Sequence, residues 1–269
     1  MTEREQVAVT PEFVEVVLAA VQNQGVLVGG QALSIWLDAF GLRRYATSAP
    51  ISIDADFLGD RDLVEAIHQK IPGSTAKLQL RSAISRLIGI VEIPITPDKF
   101  MSVDVIERVP PLSVQHVFDR AIEMRQDSGQ TYLVLHPVDL LTSRAYNLRT
   151  FEEKQTENGV EQLRLSLQVV NAYLTSALSD PSNLRAVLRI IEEIVRLAKG
   201  PYGAAAKAYG IDFLTAMPLD LIDSDGFQNT RRGQIKLELA KVKCPDYLVE
   251  TTLAQVPDVD ESTGPSESL

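Results

Sequence analysis

The sequence predicts an α/β protein of the α+β type, in which a small mixed sheet with helices is followed by an α-helical bundle. Three observations support this fold class. A short apolar run, a glycine pair and a helical pattern succeed one another over residues 25–41. Apolar and polar residues then alternate with period two in several short segments, as in strands. After His136-Pro137 the apolar spacing becomes helical.

The first half of the chain is predicted to alternate between helices and strands. Thr10-Pro11 is a typical helix start, Gly29-Gly30 ends the first strand, and Pro97-Asp98 marks a turn between two later strands. The predicted elements are a helix over 11–23, a strand over 26–28, a helix over 30–41, a loop over 43–50, a strand over 51–57, a helix over 60–70, and strands over 75–81, 84–95, 100–108, 119–126 and 130–135.

The second half is predicted to be helical. The pattern is almost wholly helical over 139–199, and a further helix is expected over 229–242. The sequence after 255 is acidic and rich in Ser and Pro, a composition typical of disorder. We therefore expect a sheet-containing core over 1–136, an α-helical domain over 137–255, and an acidic disordered tail over 256–269.

Charge and cysteine content exclude some function classes. The 269 residues include 26 Lys and Arg against 36 Asp and Glu, for a net charge of −10. The two ends carry −2 and −4 of this charge, so the body between them carries −4. Broad charge-driven nucleic-acid binding is not expected, although a local basic groove is compatible with these numbers. The single cysteine, Cys244, excludes a disulfide-stapled scaffold.

No segment has the pattern of a signal peptide or the length of a membrane span. We therefore expect a cytoplasmic protein without a membrane partner.

The strand expected over 51–57 is the most informative segment for function. Period-two alternation puts Ser52, Asp54 and Asp56 on one face of it. Two carboxylates about 7 Å apart on one face can bind a common Mg²⁺, which favours oxygen ligands. The alternative is the solvated face of a half-exposed strand, which a lone Asp-x-Asp pattern favours.

Two further features strengthen the functional interpretation. Asp104 stands on an otherwise apolar strand, as a third metal ligand or as a surface residue. Gly29 and Gly30, between a buried strand and a helix, let the backbone approach a phosphate; the alternative is a tight turn without a ligand. The order of glycine turn, paired Asp and single Asp favours a phosphate and metal site.

These segments resemble a known family. Val28-Gly29-Gly30-Gln31-Ala32-Leu33, Ser52-Ile53-Asp54-Ala55-Asp56-Phe57 and Val103-Asp104-Val105 are similar to the three motifs of the DNA polymerase β-like nucleotidyltransferase superfamily. Within it, the resemblance is closest to the AbiEii-type toxin nucleotidyltransferases. The resemblance covers about residues 11–150.

The resemblance implies an activity and a set of site residues. It implies transfer of NMP from an NTP to a hydroxyl of RNA, such as tRNA, or of a protein, in a toxin with a cognate antitoxin. Two Mg²⁺ or Mn²⁺ ions would be held by Asp54, Asp56 and Asp104. Nucleotide binding would involve the remaining motif residues, which are Gly29, Gly30, Gln31, Ser52, Arg144 and Lys154.

Several features depart from the family pattern, among them a longer loop between Gly30 and Asp54 and Gln31 in place of a small hydroxyl residue. Arg144 stands where lysine is usual, and the Lys154–Asn158 element ends in Asn rather than Asp. A catalytically degenerate nucleotide-binding or protein-interaction module is therefore the alternative function. A third possibility is that the motifs are coincidental in an α/β interaction module.

One helix carries a row of arginines outside these motifs. Arg185, Arg189 and Arg196 fall on neighbouring turns and can follow an RNA backbone. The favoured interpretation is a solvated face whose arginines pair with Glu192 and Glu193.

Overall fold

The computed structural model describes residues 4–43, 52–80 and 85–243. Most of the loop expected over 43–50, Cys244 and the tail expected over 256–269 lie outside the described residues. The strands are β1 (Glu5–Gln6), β2 (Val26–Val28), β3 (Ala55–Leu58), β4 (Thr75–Leu78), β5 (Leu87–Thr96), β6 (Lys99–Ile106), β7 (Ile122–Arg125) and β8 (Thr131–Val134).

These strands form one mixed sheet in the order β4-β5-β6-β3-β2-β8-β7, with β1 paired to the start of β6. The pairs β3/β6, β2/β8 and β1/β6 are parallel, and the others are antiparallel. The predicted fold class is confirmed. Parallel pairing of β3 with β6 brings the two Asp-bearing segments side by side.

The helices are α1 (Pro11–Val21), α2 (Gly29–Ala39), α3 (Arg61–Lys70), α4 (Val114–Arg120), α5 (Pro137–Thr150), α6 (Glu157–Leu178), α7 (Leu184–Lys199), α8 (Pro201–Ala206) and α9 (Arg232–Ala240). Thr10 caps α1, since its side chain accepts a hydrogen bond from the Phe13 N–H. None of the described helices is both long and apolar enough to cross a bilayer.

Two clusters of buried apolar residues hold the fold together. The first joins the sheet to α1, α2 and α3, and it includes Trp36. The second joins α5 to α9. Helices α5 and α6 contribute to both, because Leu140 and Leu165 pack in the first cluster while Leu141 and Leu163 pack in the second. The helical part is therefore packed against the sheet-containing part, with α5 and α6 both contacting α2, and the domain boundary at 136 stays a prediction.

The strand expected over 51–57 is shorter in the structure. It begins only at Ala55, and the residues before it bend away from the ladder. The Ile53 carbonyl accepts a hydrogen bond from the Val9 N–H at 3.1 Å, so this segment bonds to the chain after β1. Ile53, which period-two alternation would put on the face opposite Asp54, is 54% exposed. Ile51 lies outside the described residues.

The strand expected over 119–126 begins later than predicted. The Ser113 side chain accepts a hydrogen bond from the His116 N–H and starts α4, which runs to Arg120. The strand β7 follows at Ile122. A short helix with one buried apolar residue, Val117, lacks a strong periodic signal, which is why it was missed.

The acidic partners expected for the α7 arginines pair elsewhere. Glu192 binds Arg231, and Glu193 binds Arg120 at the end of α4. Both carboxylates therefore tie α7 to other elements instead of pairing with Arg185, Arg189 and Arg196.

Candidate active site

Three carboxylates meet where β3 and β6 run in parallel. Asp56 is directly opposite Asp104 in the register of these strands, and Asp54 precedes β3. One potential ligand atom from each of the three residues lies within 4.8 Å of the others. Carboxylate oxygens at this spacing suit a hard divalent cation such as Mg²⁺ or Mn²⁺.

Two serines orient the outer carboxylates. The Ser52 hydroxyl donates a hydrogen bond to Asp54 Oδ1 at 2.8 Å, and the Ser102 hydroxyl donates one to Asp104 Oδ1 at 2.7 Å. Ser102 was not among the predicted site residues. The repeated Ser-x-Asp spacing was the signal that could have identified it.

Position 29 requires glycine, because its backbone lies close to the Asp56 carboxylate. It has a φ of +65°, and a Cβ built on it would lie 2.0 Å from Asp56 Oδ2. A side chain at this position would displace the Asp56 carboxylate. The glycine turn therefore does more than end β2, because it leaves room for the central aspartate at the start of α2.

One face of α5 closes the site. Leu140, Ser143, Arg144 and Asn147 follow helical spacing and line a cavity of about 320 Å³. Gly29, Asp56, Asp104 and Lys154 line the same cavity. The structure thus brings together residues from the sheet, the first glycine turn and the start of the helical part. Ser143 and Asn147 were missed in the sequence because their polar pattern resembles an ordinary helix face.

Arg144 faces this cavity with unsatisfied donors. Its Nε and Nη2 atoms are buried and have no hydrogen-bond partner within the part of the chain that the structure describes. A buried guanidinium with unmet donors costs free energy unless an anion binds it. The arrangement fits a phosphate group, since a guanidinium can donate two parallel hydrogen bonds to it.

The electrostatics of the cavity are those of crowded carboxylates. Burial raises the pKa of Asp56 to about 7; Asp54 and Asp104 add to the rise, and Arg144 and Lys154 oppose it. Burial also raises the pKa of Asp104, against the hydrogen bond from Ser102. The pKa of Arg144 is lowered by burial, which Asp56 and Asp54 oppose. The carboxylates resist joint ionisation, and a divalent cation would relieve this repulsion.

Three predicted nucleotide-binding residues lie away from this cavity. Gln31 and Ser52 line a neighbouring cavity of about 300 Å³ between α1, α2 and the β7–β8 hairpin. Gly30 is buried in the first turn of α2. These placements give Ser52 a role through Asp54, while Gln31 lines the neighbouring cavity and not the one that Asp56 and Asp104 line.

Lys154 is held by a feature the sequence did not reveal. It ends a short 3₁₀ turn, Glu152–Lys154, and a Cβ on Gly159 would lie 1.9 Å from its carbonyl oxygen. Gly159 therefore lets α6 pack against the turn that presents Lys154. Asn158 is exposed, and no hydrogen bond in the described residues joins it to Lys154.

No protein-family model matches the chain, and no curated protein matches it significantly in sequence.

Proposed function

We propose that the protein is a metal-dependent nucleotidyltransferase that transfers NMP from an NTP to an acceptor hydroxyl. One observation carries this proposal. Two carboxylates of the three-aspartate cluster, Asp56 and Asp104, line one cavity together with the buried guanidinium of Arg144, which has two donors without a partner in the described residues. A site for divalent cations thus adjoins a site for a phosphate, as phosphoryl transfer requires.

The donor set fits divalent cations, which Asp54, Asp56 and Asp104 would hold. When bound, such ions stabilise negative charge on the phosphates and favour ionisation of an attacking hydroxyl. Arg144 would bind oxygens of the triphosphate through Nε and Nη2, and the exposed Lys154 would add a second positive charge.

The chemical step follows from these positions. The acceptor oxygen forms a bond to the α-phosphorus, and the bond from the α-phosphorus to the bridging oxygen of the β-phosphate breaks. Pyrophosphate leaves with that electron pair. Asp104, whose carboxylate lies opposite Asp56 on the neighbouring strand, would accept the hydroxyl proton.

The finer identity of the activity follows from the family resemblance. It favours RNA, with tRNA as one candidate, or a protein as acceptor. It also favours a toxin that works with a cognate antitoxin. Both expectations belong to the proposal, as does a cytoplasmic location.

A nucleotide-binding module without catalysis is the second candidate function. The observation that favours it is Asn158, which is exposed and provides no acidic partner for Lys154. The crowding of three carboxylates favours catalysis, because a binding module has no physical need to keep groups that repel one another.

The test is incubation of the protein with each α-labelled NTP, Mg²⁺, and total RNA or lysate protein. Label transferred to an acceptor supports the proposal and reports the preferred base. Calorimetry with an NTP distinguishes the rivals: affinity that collapses in EDTA without label transfer supports the non-catalytic module, and equal affinity in EDTA contradicts the metal site.

A further inference from the structure

A second groove opens directly beside the aspartate cavity. Its volume is about 640 Å³, and Ser85, Arg86, Arg108 and Pro110 line both the groove and the cavity. A ligand lying in the groove can therefore extend one end to the aspartates.

The groove lies on the Asp104 side of the cavity. In the sheet, β6 with Asp104 separates β3 from β5, and Arg86 immediately precedes β5. The Gly29 turn follows β2, on the opposite side of β3. A triphosphate between Gly29 and Arg144 leaves the Asp104 side open to the acceptor.

A guanidinium and two aromatic rings contact one another in the lining of the groove. The guanidinium carbon of Arg86 lies 4.8 Å from the centroid of the Phe151 ring. The Tyr146 ring meets Phe151 edge-on at 5.9 Å between centroids. Flat, cation-bearing surfaces of this kind are suited to stacking with planar ligands.

The charge of the groove is opposite to that of the whole chain. The protein carries a net charge of −10, yet the described lining contains Arg86 and Arg108 and no acidic residue. Arg108 is 59% exposed, and its carboxylate partner is its chain neighbour Glu107 at 3.5 Å. Arg108 is therefore placed to meet an anion from solvent, and the half-buried Arg86 lies beside it in the same lining.

We propose that this groove binds the end of a single-stranded polynucleotide and presents its terminal hydroxyl to Asp104. The inference rests on the proposed nucleotidyl transfer and names its acceptor. Arg86 and Arg108 bind the phosphates, while a base stacks on the Arg86–Phe151 pair. A protein acceptor makes no comparable use of stacked rings and paired arginines, and is an outcome of the test.

The experiment measures binding without catalysis. Fluorescence anisotropy is recorded with labelled ten-nucleotide RNA and DNA single strands, and with the matching duplex, in EDTA and without NTP. Arg86→Ala and Phe151→Leu are each expected to weaken single-strand binding by about 5- to 150-fold. Arg86→Ala also lowers the salt dependence, because one phosphate contact is lost.

Arg189→Ala is the matched control, because Arg189 is an exposed arginine on α7 outside the groove. It is expected to change single-strand affinity by less than about 2-fold, since it makes no groove contact. Arg86→Lys keeps the charge and loses the planar stack, so it is expected to recover only part of the affinity. Thermal melting monitors the fold of each variant.

The outcomes separate this inference from the proposed function. Wild-type protein that binds no single strand, or groove variants that bind like wild type, overturn the groove assignment. An equal loss in Arg189→Ala overturns it as well, because binding is then diffuse. Label transfer to protein without strand binding supports the proposed function and contradicts the groove assignment. Another outcome is single-strand binding that only the groove variants weaken, with no label transfer under any condition. This outcome supports the groove assignment and contradicts the proposed catalytic function.

Discussion

Two arginines in the helical part of the molecule lie in opposite surroundings. Each guanidinium nitrogen of Arg231 donates a hydrogen bond to a carboxylate. Its Nε and Nη2 donate to Glu192 at 2.6 and 2.7 Å, and its Nη1 donates to Glu238 at 2.6 Å. Arg144 has two buried donors without a partner in the described residues. The first arginine joins α9 to α7, whereas the second faces the aspartate cavity. The contrast indicates that Arg231 stabilises the fold, whereas the free donors of Arg144 can bind an anion.

The acids of the two regions shift in opposite directions. Hydrogen bonds from Lys199 and Arg231 lower the pKa of Glu238 to about 2, whereas burial beside two other carboxylates raises the pKa of Asp56 to about 7. Paired charges favour the ionised state, and crowded carboxylates disfavour it. Strongly perturbed groups in a cleft are candidates for function, and here they coincide with the motif residues.

The largest effect is expected from Asp56→Asn. Loss of the central ligand should lower the transfer rate by about 10³-fold or more, since metal-borne charge stabilisation contributes several kcal/mol. The fold should persist, because the substitution removes a repelling charge. Label-transfer assays measure the rate, and thermal melting in EDTA measures the stability of the fold. Asp98→Asn, at an exposed turn carboxylate bonded to Thr96, is the control. A variant that transfers label at the wild-type rate would contradict the site.

Arg144→Ala and Arg231→Ala test the comparison directly. Arg144→Ala should lower kcat/KM about 10- to 150-fold, from loss of a charge-assisted contact of about 1.5–3 kcal/mol, and Arg144→Lys should restore part. Its melting temperature should barely change. Arg231→Ala should keep kcat/KM and lose about 1 kcal/mol of unfolding free energy, less at high salt. Equal stability losses in both variants would remove the distinction.

The overall architecture could be predicted because its signals are local. The glycine turn after β2, the caps of α1 and α3, and the change to helical spacing after His136 all depend on neighbouring residues. The predicted start of β3 was wrong. The Ile53 carbonyl bonds to the distant Val9 N–H instead of to the sheet, so the ladder begins later than predicted. The alternation of apolar and polar residues begins before the strand does, and a contact with a distant part of the chain decides where the strand starts.

The aspartates of the site could be predicted, whereas their surroundings could not. Asp54, Asp56 and Asp104 carry a spacing signal, and the structure places their carboxylates together. Gln31 is away from them because the helix turns its side chain toward a second cavity. Arg86 gives no sequence signal, since the Phe151 ring that its guanidinium contacts lies 65 positions further along the chain. Whether these residues bind metal and nucleotide stays a prediction.

His136 should make stability depend on pH between pH 7 and pH 5, whereas the lowered pKa of Glu238 acts only at more acidic pH. Burial, with Arg120 and His116 nearby, lowers its pKa to about 3, and its side chain accepts a hydrogen bond from the Val138 N–H. The folded state therefore resists protonation. Stability from this residue is complete above the unfolded pKa of about 6.5 and is lost as pH falls toward 3.

The measurement is urea unfolding at pH 7 and pH 5 for wild type and His136→Asn. Asparagine retains an acceptor for the start of α5 and does not titrate. Wild type should lose up to about 2 kcal/mol more than the variant between these pH values, at about 1.4 kcal/mol per pH unit below 6.5. The other groups around His136, which are His116, Arg120, Asp139 and Tyr173, are common to both proteins. Parallel pH profiles would exclude His136 as the source.

The smallest effect is expected from Asn158→Asp, in the first turn of α6. A negative charge there interacts favourably with the helix N-terminus, by about 0.3–1 kcal/mol, and can orient Lys154 toward the cavity. Transfer activity should stay unchanged or rise, in an assay at sub-saturating NTP. Combining the change with Lys154→Ala gives the control: a gain through Lys154 disappears in the double variant, whereas a gain through helix stability persists. A clear loss of activity in Asn158→Asp alone would show that an acidic group at this position works against the bound triphosphate, contrary to the family pattern.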